Sequence, residues 1–218
     1  MTRLALFDLD NTLLAGDSDH SWGEFMVANK LVDSEYFTAQ NDKFYQDYQN
    51  GCLDMHAYGA FALKPLTQYN DQQLLAFHDQ FMQQHVIPMV LAKGRTLLQN
   101  HQAAGDKIII ITATNDFITY PIAQYLGVDT LIATTAEKIN GQYTGKITGT
   151  PCLQEGKISK LKAWLENTHY DLAGACFYSD SFNDIPLLDV VDEPIAVDPD
   201  DKLRAHALDA GWPIITLR

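Results

Sequence analysis

A short apolar run meets two acids in the stretch Leu4-Ala5-Leu6-Phe7-Asp8-Leu9-Asp10-Asn11-Thr12. Four consecutive apolar residues are typical of a strand that is buried on both faces. Ligands of open α/β sheets bind beyond the carboxyl ends of such strands. Two neighbouring carboxylates are costly to bury there unless a cation or a proton relieves their repulsion. The stretch therefore predicts a ligand site after the first strand, with oxygen donors that suit a hard cation such as Mg²⁺.

Further apolar runs alternate with helix-like stretches, which is the pattern of a parallel sheet covered by helices. They predict an α/β fold with strands at 107–112, 130–133, 173–178 and 194–197, and a candidate edge strand at 214–217. Asn140-Gly141, between alternating residues, predicts a small β-hairpin. Thr119-Tyr120-Pro121 predicts the start of a helix, because proline is tolerated in the first helical turn.

Residues 14–90 interrupt this alternation, since they show helical spacing and no convincing strand. We predict a helical insertion at 16–88, called the cap here, and a core formed by 1–15 together with 89–218. A further helix at 88–104 then leads into the second strand. Large apolar side chains recur in the cap at helical spacing, which predicts the core of a small helical bundle. They are Trp22, Phe25, Met26, Phe37, Phe44, Tyr45, Tyr48, Phe77 and Phe81.

A second pair of acids, Asp180 and Asp184, follows the apolar strand predicted at 173–178. The ends of two neighbouring strands can share one cation. The second strand ends at Thr112-Ala113, where a hydroxyl and free backbone N–H groups can hold an anion. Lys157, after Gly156, supplies an ammonium group for a phosphoryl oxygen. Lys160 and Lys162 are nearby alternatives for that role.

These elements, in this order, resemble the haloacid dehalogenase (HAD) superfamily of phosphotransferases over essentially the whole chain. Asp8-x-Asp10-x-Thr12 is similar to its first motif and Asp180-x-x-x-Asp184 to its fourth, while Thr112 and Lys157 match the second and third. The helical insertion resembles the type 1 cap, and the subfamily that fits best is IB, the phosphoserine phosphatase-like group with its histidinol-phosphatase-like members. The resemblance implies a Rossmann-like core with a parallel sheet. Ser179 and Ser181 depart from the pattern, because many relatives have glycines there.

The resemblance also implies roles for these residues in hydrolysis of a small phosphate monoester. Asp8 would be the nucleophile that forms an aspartyl-phosphate, and Asp10 the acid and base. Mg²⁺ would be held by the carboxylates of Asp8 and Asp180 and by the backbone carbonyl of Asp10, with Asp184 holding or orienting a metal-bound water. The phosphoryl oxygens would be bound at Thr112, Ala113 and Lys157.

The cap is strongly acidic, and this bears on the substrate. Residues 16–90 contain ten acids and three lysines, a net charge of −7, and no arginine to pair with a substrate carboxylate. Asp17 lies nine residues after Asp8. The resemblance to phosphoserine phosphatases implies a role for it, because those enzymes have at this position a glutamate that holds the substrate ammonium. We therefore expect an amine-bearing substrate such as histidinol phosphate. Asp19, His20 and Glu24 are further candidates for substrate contacts.

Other functions stay open at this point. Phosphoserine or another small phosphate ester is an alternative substrate, and a phosphotransferase would use the same intermediate. A phosphorylatable signalling module also combines acids, threonine and lysine at strand ends, but it would lack the cap and a counterpart of Asp10.

Composition limits the partners. The chain has 218 residues and a formal net charge of −13, so phosphate backbones and anionic lipids are repelled. We expect a cytoplasmic protein, monomeric or homodimeric, whose partner is a small molecule and neither nucleic acid nor membrane.

Overall fold

The computed structural model describes residues 2–218, so Met1 of the predicted core lies outside the described residues. One seven-stranded sheet has the order β4-β3-β2-β1-β5-β6-β7 and is parallel except for the pair β3 and β4. Its strands are β1 (Leu4–Phe7), β2 (Lys107–Asn115), β3 (Leu131–Ile139), β4 (Gln142–Thr148), β5 (Cys176–Ser179), β6 (Glu193–Val197) and β7 (Ile214–Ile215). The predicted α/β fold with a parallel sheet is confirmed.

The helices between these strands mostly begin at an acid or an amide that caps the free backbone N–H groups. They are α1 (Ser18–Ala28), α2 (Ser34–Asn50), α3 (Met55–Leu63), α4 (Asp71–Phe81), α5 (Ile87–Met89), α6 (Ala92–Ala104), α7 (Asp116–Tyr125), α8 (Glu155–Glu166), α9 (Ile185–Leu188) and α10 (Asp201–Ala210). Within residues 2–218, none of them is both long and apolar enough to cross a bilayer.

β1 lies at the centre of the sheet, between β2 and β5, and runs parallel to both. All four of its side chains are fully buried, because apolar residues pack against both faces of the sheet. This explains why its sequence is an unbroken apolar run instead of an alternating one. The carboxyl ends of β1, β2 and β5 consequently meet at one edge of the sheet.

The helical insertion leaves the sheet after β1 and returns beside its own starting point. Leu14 and Val90 form an isolated antiparallel bridge, and the Ala15 N–H donates to the Met89 carbonyl at 2.7 Å. The extended backbone of Val90 separates α5 from α6, so the continuous helix predicted at 88–104 is wrong. The division of the chain at residues 15 and 89 stays a prediction.

The packing of the cap aromatics divides them into two groups. Trp22, Phe25 and Phe81 are buried with ring centroids 5.2 to 5.7 Å apart, as expected of a core. Phe44 and Tyr45, by contrast, are half-buried and line a cavity between the cap and the sheet. Tyr48 does the same, so the prediction of a bundle core is wrong for Tyr45 and Tyr48, whereas Phe44 also packs against Phe61 of α3 at 5.3 Å.

The hairpin predicted at Asn140-Gly141 is present, whereas the helix predicted to start at Thr119 begins earlier in the chain. Asn140 and Gly141 both adopt positive φ, 51° and 81°, and join β3 to β4 as the predicted hairpin. Helix α7, however, begins at Asp116, because the side chain of Asn115 accepts the Ile118 N–H and caps it. Pro121 therefore lies inside the helix instead of in its first turn.

His78 of α4 offers a test of the packing between the cap and the core. Its side chain is 4% exposed, and its Nε2 lies 3.0 Å from the Ile118 carbonyl of α7. Burial lowers the pKa of His78 below the 6.5 of a free histidine. As the pH falls below 6.5, His78 binds a proton in the unfolded chain but stays neutral in the folded chain. The free energy of unfolding therefore decreases.

We predict that the His78→Gln variant, which keeps an N–H donor, loses less unfolding free energy than the wild type between about pH 7.5 and about pH 5.5. Urea denaturation at both pH values measures the difference. His169→Gln, at an exposed position, is the matched control and should follow the wild type. An unchanged pH dependence in His78→Gln would contradict the assignment.

Candidate active site

The loop after β1 presents two carboxylates at the central edge of the sheet. The Asp8 N–H donates to the Tyr178 carbonyl of β5 at 2.9 Å, which continues the sheet to the first of them. The chain then turns tightly, since the Leu9 carbonyl accepts the N–H of Leu13 at 2.9 Å. Asn11 adopts a φ of 57°, a left-handed conformation that asparagine tolerates. Asp8 and Asp10 both line the cavity under the cap.

Thr12 ties this loop to the end of β5. Its hydroxyl accepts the Asp180 N–H at 3.1 Å, lies 3.0 Å from Asp180 Oδ1 and 3.4 Å from Asp8 Oδ2. The hydroxyl is fully buried, so it bridges the two carboxylates without access to water. The threonine of the first motif thus fixes the distance between the acids of two strands.

The carboxylate of Asp10 is held by the cap on one side and by the sheet on the other. The Ser18 N–H of α1 donates to Oδ1 at 2.6 Å. The hydroxyl of Thr114, in β2, donates to Oδ2 at 2.9 Å. Sequence reasoning missed both contacts, because neither residue lies in a motif that points to Asp10.

Lys157 enters the site from the first turn of α8. Its Nζ donates to Asp8 Oδ1 and to Asp184 Oδ2, each at 2.7 Å, and the side chain is 2% exposed. The turn before it needs Gly156, because a Cβ there would come within 1.9 Å of the Pro151 carbonyl oxygen. The glycine therefore permits the close approach that aims the lysine at the acids.

The two alternative lysines lie elsewhere. Lys160 donates to the Ala133 carbonyl at 2.7 Å and to Thr135 Oγ1 at 3.1 Å, both in β3, and not to the acids of the site. Lys162 is exposed.

The serines that depart from the family pattern are used in the structure. The Ser179 hydroxyl donates to Asp184 Oδ2 at 2.6 Å and accepts the Ser181 N–H at 3.1 Å. Ser181 Oγ in turn accepts the Asn183 N–H at 3.2 Å. The hydroxyls therefore shape the turn that carries Asp180 and Asp184.

Thr112 and Ala113 line the same cavity, next to Asp8 and Asp10. The Thr112 hydroxyl accepts the Thr114 N–H at 3.2 Å, which leaves its own proton free to donate. The Ala113 carbonyl accepts from the Thr134 hydroxyl at 2.7 Å, and this bond braces the strand end against β3.

The electrostatics of the site are those of buried acids with too little positive charge. Burial raises the pKa of Asp8 to about 7 in spite of the attraction of Lys157. Burial and the charge of Asp17 raise the pKa of Asp10 to about 7. Burial and the charge of Asp8 also raise the pKa of Asp180 well above the ordinary range. Burial lowers the pKa of Lys157, but the acids outweigh it and the pKa lies above its usual value. A further cation would therefore stabilise the ionised form of these buried acids.

The donor set fits a magnesium ion. Within residues 2–218 no three His, Cys, Asp or Glu side chains are grouped for direct ligation of a metal. The implied set needs only two carboxylates, of Asp8 and Asp180, together with the Asp10 carbonyl. Hard oxygen ligands in small number, with waters completing the shell, are typical of Mg²⁺.

Three of the four predicted cap residues face the cavity. Asp17, Asp19 and His20 line it, and Oδ1 of Asp17 caps α1 by accepting the Asp19 N–H at 2.9 Å. Burial raises the pKa of Asp17 and raises that of Asp19 well above the ordinary range. Glu24 is exposed and does not line the cavity. It lies two residues after buried Trp22, about 200° around the helix, so its prediction as a substrate contact is not supported.

The cap also contributes side chains that sequence reasoning placed elsewhere or missed. Tyr58 of α3 packs its ring edgewise on Phe44 at 5.3 Å and borders the cavity beside Asp19. Burial and the charge of Asp19 raise the pKa of the Tyr58 hydroxyl well above its usual value. In the described part of the chain no lysine or arginine lines this cavity. The one sequence signal for a position at the border of a cavity is the tyrosine itself, which combines an apolar ring with a polar hydroxyl.

Comparison with known proteins gives a consistent result. A family model described as haloacid dehalogenase-like hydrolase matches residues 5–189. The chain is 46% identical to a histidinol-phosphatase of Neisseria meningitidis serogroup C (strain 8013), with both proteins covered completely. A structure of a protein with unknown function from Bordetella pertussis Tohama I superposes with a TM-score of 0.93 and 39% identity over both complete chains. A substrate-bound phosphoserine phosphatase has a TM-score of 0.72 over all of this chain and 94% of its own, and at 15% identity it shows the fold alone.

We predict that Lys157→Met lowers the free energy of unfolding by about 3 kcal/mol or more, because it leaves Asp8 and Asp184 buried without their cation. Lys162→Met removes the same charge from the exposed face of α8 and should change stability by less than about 0.5 kcal/mol. Chemical denaturation measures both variants. Equal effects of the two substitutions would contradict the ion pairs.

Proposed function

Since this chain belongs to the haloacid dehalogenase-like hydrolase family, we propose that it is a phosphatase of small phosphate monoesters. The observation that carries the proposal is the 2.7 Å contact between Lys157 and Asp8, a carboxylate that lines the cavity under the cap. A carboxylate nucleophile can approach an anionic ester only where positive charge offsets the repulsion. The similarity to a protein named histidinol-phosphatase, 46% identity over the full length of both chains, supports the same function.

The reaction uses two displacements. The Asp8 carboxylate attacks phosphorus and forms an aspartyl-phosphate, while Asp10 gives a proton to the departing alcohol. Asp10 then takes a proton from the water that releases phosphate. The raised pKa of Asp10, about 7, suits a group that must alternate between its two protonation states near neutral pH.

The phosphoryl group is bound by residues of β2 and α8. The free proton of the Thr112 hydroxyl and the backbone around Ala113 donate to its oxygens, and Lys157 supplies a full positive charge. The Lys157 ammonium is already 2.7 Å from Asp8, so it can hold the nucleophile and the transferred group together.

Magnesium is the cofactor that we propose for this site. The carboxylates of Asp8 and Asp180 and the carbonyl of Asp10 would hold the ion, and Asp184 would hold or orient one of its waters. When bound, Mg²⁺ would offset the negative charge of the phosphoryl group and of the nucleophile. These buried acids share the positive charge of one lysine, so a further cation would improve the charge balance of the site.

The substrate that we propose carries a cationic group on the side away from the phosphate, and histidinol phosphate meets this requirement. Asp17 and Asp19 border the cap end of the cavity, where burial raises their pKa values. A cation between them offsets the cost of burying two carboxylates, whereas a substrate carboxylate would meet no lysine or arginine of the described chain there. This disfavours phosphoserine as the substrate.

We predict that Asp8→Asn reduces turnover of p-nitrophenyl phosphate by roughly a thousandfold or more, because an amide cannot attack phosphorus. Release of p-nitrophenolate in the presence of Mg²⁺ measures it. Circular dichroism should show the same fold as in the wild type. Substantial remaining turnover would exclude Asp8 as the nucleophile.

The recognition of a cation is tested by removing cap charges one at a time. We predict that Asp17→Asn and Asp19→Asn each lower kcat/KM for histidinol phosphate by about tenfold, the loss expected for one charged contact. Asparagine still caps a helix, so α1 should remain intact in Asp17→Asn. The activity toward glycerol phosphate, which lacks a cation, should change much less.

Glu24→Gln is the matched control for these variants. It removes the same charge from the same helix, outside the cavity. We expect it to leave both substrates unaffected. Equal losses on both substrates in the two aspartate variants would show that the carboxylates serve the fold and not the recognition of a cation.

A further inference from the structure

The two oxygens of Asp10 are held by groups of different chemistry. Oδ1 accepts from a backbone N–H, that of Ser18, at 2.6 Å. Oδ2 accepts from a side-chain hydroxyl, that of Thr114, at 2.9 Å. A backbone N–H can only donate, whereas a hydroxyl both donates and accepts. A proton on Oδ1 would weaken the Ser18 bond, but a proton on Oδ2 leaves Thr114 a partner in either state.

Thr114 is itself held firmly. Its side chain is 6% exposed and borders the cavity beside Asp10. Its own N–H donates to the Thr112 hydroxyl at 3.2 Å, and the register between β2 and β3 shifts in this segment, between Ile111 and Asn115. Thr112 and Thr114, at the irregular end of β2, thus both line the cavity that contains Asp10.

We propose that Thr114 is a positioning residue for the acid and base of the reaction. It holds Asp10 so that Oδ2 is the oxygen that exchanges protons with the substrate. The inference rests on the proposed phosphatase function and adds to it a residue outside the four motifs. Ser18 fixes the other oxygen and leaves Thr114 to set the direction of transfer.

The proton balance of both displacements follows from this assignment. In the first, a bond forms between Asp8 and phosphorus, the bond from phosphorus to the ester oxygen breaks, and the proton on Asp10 Oδ2 passes to that oxygen. In the second, water attacks phosphorus, its proton passes to Oδ2, and the bond to Asp8 breaks. Asp10 returns to its protonated form, and inorganic phosphate leaves.

Loss of an acid slows the departure of a basic leaving group more than that of an acidic one. Phenyl phosphate and p-nitrophenyl phosphate have similar shapes, but phenolate needs a proton to depart and p-nitrophenolate hardly does. A defect in the position of Asp10 will therefore slow the hydrolysis of phenyl phosphate more than that of p-nitrophenyl phosphate, whereas a general structural defect will slow both equally.

The experiment compares kcat/KM for these two esters in the full-length protein with Mg²⁺. In Thr114→Val the value for phenyl phosphate should fall by about tenfold or more, and that for p-nitrophenyl phosphate by less than about threefold. Thr114→Ser keeps the hydroxyl and should restore both values to within about twofold of the wild type. Thr114→Ala is a second variant without the hydroxyl and should separate the esters in the same way.

Thr119→Val is the matched control. Thr119 is also fully buried, and its hydroxyl donates to the Asn115 carbonyl at 2.9 Å, away from Asp10. It should leave the ratio of the two esters unchanged.

Equal losses on both esters in Thr114→Val, no loss on either, or failure of Thr114→Ser to restore the ratio would overturn the role of Thr114 and leave the phosphatase proposal standing. A wild-type protein that hydrolyses neither ester would overturn the proposed function and this role with it.

Discussion

The rest of the structure depends on keeping several carboxylates buried within reach of one another. Asp8 and Asp184 share a single ammonium group, that of Lys157, and Asp180 is joined to Asp8 only through a threonine hydroxyl. Such a cluster is costly without compensation, and burial accordingly raises the pKa values of Asp8 and Asp180. A cluster of this kind is stable only where strands, helix termini and hydroxyls hold each oxygen. The same shortage of positive charge would favour a bound metal ion, which the proposed reaction with an anionic ester also requires.

The fold meets this constraint with parallel strands and a returning insertion. Because β1 lies between β2 and β5, the ends of the three strands bring their polar residues together without long loops. The cap leaves and re-enters the sheet beside the bridge of Leu14 and Val90, so α1 lies over the loop after β1. The N–H of Ser18, the first residue of α1, donates to Asp10, and Asp19 of the same helix lines the cavity. One short connection thus links the loop after β1 to the cap residues that line the cavity.

The sequence predicted the parts of this arrangement that depend on local pattern. The strands, the hairpin at Asn140-Gly141 and the acids at the strand ends follow from apolar runs and turn residues, which act over a few positions. The errors at Val90 and in the cap have non-local causes, whereas the error at Pro121 has a local one. Val90 is extended because it pairs with Leu14, and Pro121 lies inside α7 because Asn115 begins the helix earlier. Tyr45 and Tyr48 of α2 line a cavity that also contains residues of the strand ends, which the helical spacing of the cap does not reveal.

For the site, the sequence by itself determined which chemical groups are present and in which order they follow the strands, because motif spacing is a property of the chain. Tertiary structure alone decided which groups meet. Lys157 and Asp8 are 149 positions apart, and Thr114 and Asp10 are 104 apart. Asp19 faces the cavity and Glu24 faces solvent, although both lie on one acidic helix. Contacts of this kind depend on how the helices pack on the sheet and on the direction each side chain takes, which no short stretch of sequence contains.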